Sequence, residues 1–185
     1  MALIKHKPPL LHTNGLMRFY IDNIEKLGGE GMPPMDEWFL HVFSHSMPNS
    51  TPEFEIHNHP FAFQSELLHG KMIQEVYKPV IDNEKGEYRK VTPLPGERMH
   101  LLGDSLYRLE IIENPHYVRG DIYEMDEQSV HRIVSYEDGT VTKVVRCTDQ
   151  QHCPVVYLHN RYWDKYSLKD DPTRYISTLS VSAQA

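Results

Sequence analysis

The chain is short of cysteine, of basic charge and of long apolar runs, and each shortage closes off a class of protein. Two cysteines, Cys147 and Cys153, are the whole supply in 185 residues. They cannot build a disulfide framework, and such usage fits a reducing, cytoplasmic setting. Basic residues number 19 against 26 acidic ones, a net charge of −7 with histidine neutral, whereas a general nucleic-acid binder needs a basic face. No apolar run approaches the roughly 18 residues that a membrane-spanning helix requires. The opening MALIKHKPPLLHTNG has its apolar pieces broken by Pro8 and Pro9 and does not read as a signal peptide. Internal repeats and low-complexity tracts are also missing, and no shift in composition marks a second domain. Hydrophobic residues at 39% and charged residues at 24% suffice for one packed core. The abundant residue is histidine, with twelve copies. It is the commonest metal ligand and the side chain that titrates near neutral pH.

The pattern of apolar residues and turn signals divides the chain into an N-terminal extension over 1–35, a β-rich domain over 36–165 and a polar tail over 166–185. In the extension, GLMRFYIDNIEKL over 15–27 places Leu16, Phe19, Ile24 and Leu27 near one face of a helix that Gly28-Gly29 would end. Beyond the proline-rich GMPPM come short segments of β character: 38–43, 54–57, 63–69, 72–78, 105–112, 121–125, 130–135, 140–146 and 155–158. Turn residues separate them, among them Asn114-Pro115 and Asp138-Gly139. YEDGTVTKVV over 136–145 has the Asp-Gly of a tight hairpin. Many short strands behind a single helix predict an all-β barrel or double-sheet sandwich. Residues 79–104 read as a long hairpin or lid near the mouth of such a barrel, with Arg98 or His100 able to reach a ligand.

The chemistry concentrates in EIHNHPFAFQSELLHG over 55–70. His57 and His59 stand two apart, so in an extended strand their imidazoles share a face and can converge on one ion. After His59 come four residues and then Gln64, then five residues and Gly70. Downstream, Gly120 is followed by Asp126 at a spacing of six and by His131 five residues later. This arrangement resembles the two-part motif of the cupin superfamily. Asp126 and Gln128 stand where proline and glycine are usual, Thr51 where the leading glycine is usual, and Gln64 at the carboxylate position. A narrower resemblance, over about 38–146, is to small single-domain bacterial cupins with a His-x-His-Pro-aromatic-x-Phe-x-Ser pattern, carried here by His57, His59, Pro60, Phe61, Phe63, Ser65, Leu68, Gly70, Glu75, His131 and Arg132.

The resemblance implies a cupin double-stranded β-helix, a jelly-roll barrel, with His57, His59 and His131 on one divalent metal. Three neutral imidazoles suit Fe(II), Mn(II), Ni(II), Cu(II) or Zn(II), and a three-ligand set leaves open positions, the mark of a catalytic ion. Gln64 matches the fourth-ligand position by count. Glu66 and Glu75 are the alternatives, because a one-residue bulge would reverse which side chains face inward. Without a carboxylate ligand the site is similar to the three-histidine iron centres of cysteine-dioxygenase-like enzymes, which implies a mononuclear Fe(II) dioxygenase whose partners are dioxygen and a small chelating substrate. A second reading is a metal-assisted isomerase, epimerase or lyase, in which Glu66, Glu75 or Tyr107 moves a proton. A third is a non-catalytic ligand-binding cupin. Some of Phe61, Phe63, Tyr77, Tyr107 and Tyr123 should line the pocket, and Arg108 or Arg146 could meet a substrate carboxylate. Cys147 and Cys153, six apart, lack the spacing of zinc ribbons, and Asp149 to Cys153 reads as a loop. A homodimer formed through sheet edges, with 1–14 adding a strand, is compatible with this fold.

Overall fold

The computed structural model describes residues 10–12, 16–21, 35–47, 55–94, 98–147 and 154–163. They form twelve strands: β1 (Leu10–His12), β2 (Leu16–Ile21), β3 (Met35–Phe43), β4 (Ala62–His69), β5 (Lys71–Ile81), β6 (Tyr88–Leu94), β7 (Arg98–Glu113), β8 (His116–Val118), β9 (Ile122–Met125), β10 (Val130–Tyr136), β11 (Thr140–Cys147) and β12 (Val156–His159). One sheet has the order β1-β2-β3-β11-β4-β9, the other β10-β5-β7-β6-β12 with β8 also on β5. Every pairing is antiparallel. A 3-10 turn, Asn160–Tyr162, follows β12.

The helix expected over 15–27 is not formed where the chain is described: Leu16–Ile21 is β2, and 22–27 lie outside the described residues. The competing signal was local. Leu16, Met17, Phe19, Tyr20 and Ile21 serve a strand as well as a helix, and pairing with β1 on one side and β3 on the other decides the matter. The hairpin expected at Asp138-Gly139 is a turn of another kind. Its arms part company, because β10 joins β5 in the second sheet while β11 inserts between β3 and β4 in the first. Gly139 takes a left-handed φ of 78°, and the Thr140 hydroxyl is tied to the carbonyls of Glu137 (2.6 Å) and Lys71 (3.1 Å).

The chain changes sheets between β4 and β5 at a single residue, Gly70, with φ 82°. A Cβ at that position would overlap the side chain of Thr140, so glycine is required by both conformation and space. β4 shows why a sandwich results. Phe63, Ser65 and Leu67 alternate with outward Gln64, Glu66 and Leu68, giving the two-residue period of a strand covered on one side.

Two cores follow. Between the sheets lie Leu16, Phe43, Leu67 and Met72, and next to them Phe39, Phe63, Met125 and Val144. A second core is built around the second sheet, from Val91, Met99, Val156 and Leu158 and from Ile56, Tyr77, Val130 and Tyr157. Ile56 belongs to a short segment that joins the two edge strands of that sheet. His57 bridges both His131 of β10 and Val156 of β12. Its N–H donates to the His131 carbonyl at 3.1 Å and its carbonyl accepts from His131 at 2.9 Å, while Tyr157 donates to Ile56 and Asn58 to Val155, both at 2.9 Å. Backbone hydrogen bonds thereby run from β10 through residues 56–58 to β12. The 79–104 stretch supplies the end of β5, β6 and the start of β7, a hairpin within this second sheet.

Candidate metal centre

Three histidines converge because of where 55–59 is laid down. His57 is the direct cross-strand partner of His131, and His59 lies two residues farther on, hence on the same side. The ring centroids form a nearly equilateral triangle: 4.9 Å for His57–His59, 5.0 Å for His57–His131 and 5.1 Å for His59–His131. One ring nitrogen from each lies within 4.8 Å of the others. Nε2 of His59 and Nε2 of His131 are 2.9 Å apart. Two nitrogens at that separation, each about 2.05 Å from a common ion, subtend about 90° at it, the angle of neighbouring ligands in an octahedral shell.

The protein also sets the state of two rings. Nδ1 of His57 lies 2.9 Å from the Glu55 carbonyl. It must carry the proton to donate there, which turns the Nε2 lone pair toward the cluster. Burial pushes His57 below the ordinary 6.5, against a smaller upward pull from that hydrogen bond. Burial pushes His131 well below 6.5, with the nearby His57 adding to the effect. Both are therefore neutral at pH 7 and need shed no proton to bind a cation. Nδ1 of His131 is buried without a hydrogen-bond partner, so this ring's tautomer is not imposed by its surroundings. A cluster of neutral ring nitrogens fits a divalent transition metal, and His57, His59 and His131 could hold one.

Asn58, between His57 and His59, is a residue whose role its sequence context does not announce. Its Nδ2 donates to the Glu127 carbonyl at 2.8 Å and its Oδ1 accepts from the Val155 N–H at 2.6 Å. It clamps the His-Asn-His backbone to the loops before β10 and β12. Asn is an ordinary loop residue, and nothing in its spacing announces the clamp.

The other expected site residues lie elsewhere. Gln64 points outward and donates to Glu124 at 3.0 Å. Glu66 is also outward, 2.5 Å from the Lys143 ammonium. Glu75 is buried but receives Nε and Nη2 of Arg132, each at 2.8 Å, and the Tyr77 hydroxyl. Tyr107 packs edge-on against Tyr157, 5.5 Å between centroids, in the second core. None of these four lines the pocket in front of the histidines. Of the expected aromatic lining, Phe61, Phe63 and Tyr123 are there and Tyr77 is not. Burial raises the Tyr123 phenol to about 12, so it stays protonated. Arg108 is engaged with Asp82 and Glu110 at the surface, and Arg146 lies over the Phe61 ring at 4.6 Å. His100 does not line the pocket either. Cys153 lies outside the described residues.

The pocket runs from the histidines along the inner face of the first sheet and encloses about 540 Å³, its open mouth included. Its walls are mainly apolar, with Phe39, Phe43, Ile133 and Val144, and Arg18 and His41 also line it. Reading 15–27 as a helix had kept Arg18 out of consideration. Its one sequence signal is a lone arginine at an alternating position of what proves to be β2. No helix among the described residues is long and apolar enough to cross a membrane. No family model matches this chain, and no curated protein matches it.

Proposed function

We propose that this protein is a cupin-type metalloenzyme, a mononuclear non-haem Fe(II) dioxygenase acting on a small metal-chelating substrate. The observation that carries the reading is a cluster of three histidines that no carboxylate joins among the described residues, at the head of an apolar pocket. The repeated passage of the chain between two antiparallel sheets supports the jelly-roll assignment.

His57, His59 and His131 would hold the iron through neutral nitrogens, and the ion would supply open positions for a chelating substrate and dioxygen. His57, His59 and His131 set the direction of those positions, with the Glu55 carbonyl and Asn58 holding the first two in place. Phe61, Phe63, Ile133 and Val144 exclude water from the space in front, which strengthens electrostatic contacts to a bound anion. With no carboxylate joining the cluster among the described residues, an anionic substrate is favoured as the source of compensating charge. An isomerase or lyase would need a side chain to move a proton beside the ion. Glu66, Glu75 and Tyr107 are all engaged away from the pocket, and Tyr123 holds its proton too firmly to act as a base near pH 7.

The test is metal analysis of the purified protein, then oxygen uptake by the Fe(II)-loaded form with panels of thiols, amino acids and diketones. Uptake that needs both iron and one substrate class supports the reading. Zinc or nickel as the sole native metal, with no uptake, moves the assignment to Lewis-acid chemistry. Absence of metal binding moves it to a ligand-binding cupin.

A further inference from the structure

We propose that the centre takes aryl chelators, with the ring carried directly on the chelating head and held in a slot between Ile133 of β10 and Val144 of β11, one step along the strands from the histidines. The choice of head rests on the metal reading above and deepens it; the slot does not depend on a bound ion.

The slot follows from strand register. Phe63 of β4 packs against two of the three histidines, its ring centroid 4.7 Å from that of His59 and 6.4 Å from that of His131. It marks the level of the histidines on the first sheet. Two residues farther along β4 stands Ser65, whose partners are Tyr123 of β9 and Val144 of β11. Val144 is in turn the partner of Phe39 of β3. Tyr123, Val144 and Phe39 thus form one row, about 7 Å along the strands from the Phe63 row. On the second sheet the same step along β10 leads from His131 to Ile133, on the same face. These four side chains all line the pocket. They also join two packed clusters: Phe39, Phe63 and Val144 belong to one, Ile133 packs against the other, and Tyr123 packs against both. The next row is level with Leu67 and brings in Thr142, His41 and Arg18. The polar part of the lining therefore begins about 14 Å along the strands from the Phe63 row.

An apolar row at this distance accepts one ring next to a chelating head. Aromatic walls favour an aromatic guest, because ring edges pack onto ring faces. Phe63 already meets His59 and Tyr123 in this manner, at 78° and 77°. A charged group set in the row would give up its water beside Ile133, Val144 and Phe39 and gain nothing from them. Amino acids and thiol acids carry a second charge one or two bonds from their chelating atoms, so they suit the row poorly. An aryl-substituted 1,3-dicarbonyl enolate or an aryl hydroxamate suits it well, with a single negative charge at the ion and an uncharged ring beyond.

The test uses Zn(II)-loaded protein, with acetohydroxamate and benzohydroxamate compared by calorimetry. The ring should tighten binding about 30-fold, the effect of burying one phenyl group. Ile133→Phe fills the slot and should bring the two compounds within about threefold of each other. Should that variant not fold, Val144→Phe fills the same space from the other sheet. Thr142→Val, one row farther on, should keep the 30-fold ratio. Equal affinities in the wild type, or a full ratio in the filled variant, overturn the proposal. A second arm reads the slot without metal, by following the methyl resonances of Ile133 and Val144 as metal-free protein is titrated with toluene. Saturable shifts at both residues support the slot even if no hydroxamate binds the zinc form, in which case the metal reading falls alone. Methyls of both residues that stay unmoved by toluene overturn the slot.

Discussion

His131 and Arg132 are neighbours in β10, yet they serve two unlike regions. His131 faces the cleft between the sheets, among neutral rings and apolar walls, and one of its nitrogens is buried without a partner. Arg132 faces the second core's side, where Glu75 takes two of its N–H groups and the hydroxyl of Tyr77 completes the trio. The first region leaves bonding capacity unspent at a pocket. The second spends its charge internally, and burial together with the Glu75 hydrogen bond raises the pKa of Tyr77, so its proton stays in place. Both hold ionisable groups at similar depth. What separates a candidate site from a structural network is the balance of donors and acceptors, more than the presence of reactive residue types.

The comparison breaks most visibly at His131. His131→Ala should leave a folded chain that no longer retains a divalent metal, a loss exceeding the 10- to 100-fold that supporting partners command. Metal per chain after equilibration with Fe(II) or Zn(II), measured by mass spectrometry, is the check. Gln64→Ala and Glu66→Ala should retain full metal. Full occupancy in His131→Ala would show that the cluster is not the site.

Glu75→Ala tests the other face. Removing one partner of a fully buried ion pair costs about 3–5 kcal/mol. The Arg132 side chain is 34% exposed, so solvent screening lowers the expectation to about 2–3 kcal/mol in urea unfolding. Metal stoichiometry should not change. A Glu75→Ala protein that keeps its stability and loses its metal would reverse the assignment of the two faces.

Asn58 sharpens the contrast because it belongs to both regions. Asn58→Ala forfeits two hydrogen bonds, worth about 1–2 kcal/mol in stability, and frees the backbone that carries His57 and His59. Metal affinity should fall about 10- to 100-fold while stoichiometry at saturation remains one per chain. Titration with a competing chelator separates this outcome from the outright loss expected of His131→Ala.

Much of this was legible before any coordinates, and the exceptions share a cause. The strands expected over 63–69, 121–125, 130–135 and 140–146 stand within a residue or two of β4, β9, β10 and β11, because alternation on a one-sided sheet is a local signal. The histidine trio was legible from the i, i+2 spacing and the distant motif. β2 was not, since six apolar and basic residues fit two periods and a partner strand chose between them. The sheet change at Asp138-Gly139 was not, since a turn dipeptide says that the chain reverses and not which strand receives it. Asn58 went unseen for the same reason: its role is conferred by residues far away in sequence.

Asp126 gives the smallest effect and belongs to neither face. It stands at a motif position where proline is usual, and it caps its own turn. The Ser129 hydroxyl donates to its carboxylate at 2.6 Å and the Gln128 N–H at 3.0 Å. The Ser129 bond first, then those from the Gln128 and Ser129 backbone, hold its carboxyl below the ordinary 3.8 despite a partial opposing effect of burial. A folded-state pKa lowered in this way contributes stability that is present above the unfolded value and lost as pH falls through the folded one. Ser129→Ala should therefore bring the Asp126 titration, followed by carboxyl-carbon NMR, back toward 3.8. Stability at pH 7 should drop by no more than the roughly 0.5 kcal/mol typical of an exposed substitution, and metal binding should be untouched. If Ser129→Ala instead weakened metal binding, the 126–129 turn would have to be counted with the cleft, since Glu127 in that turn is what the Asn58 side chain grips.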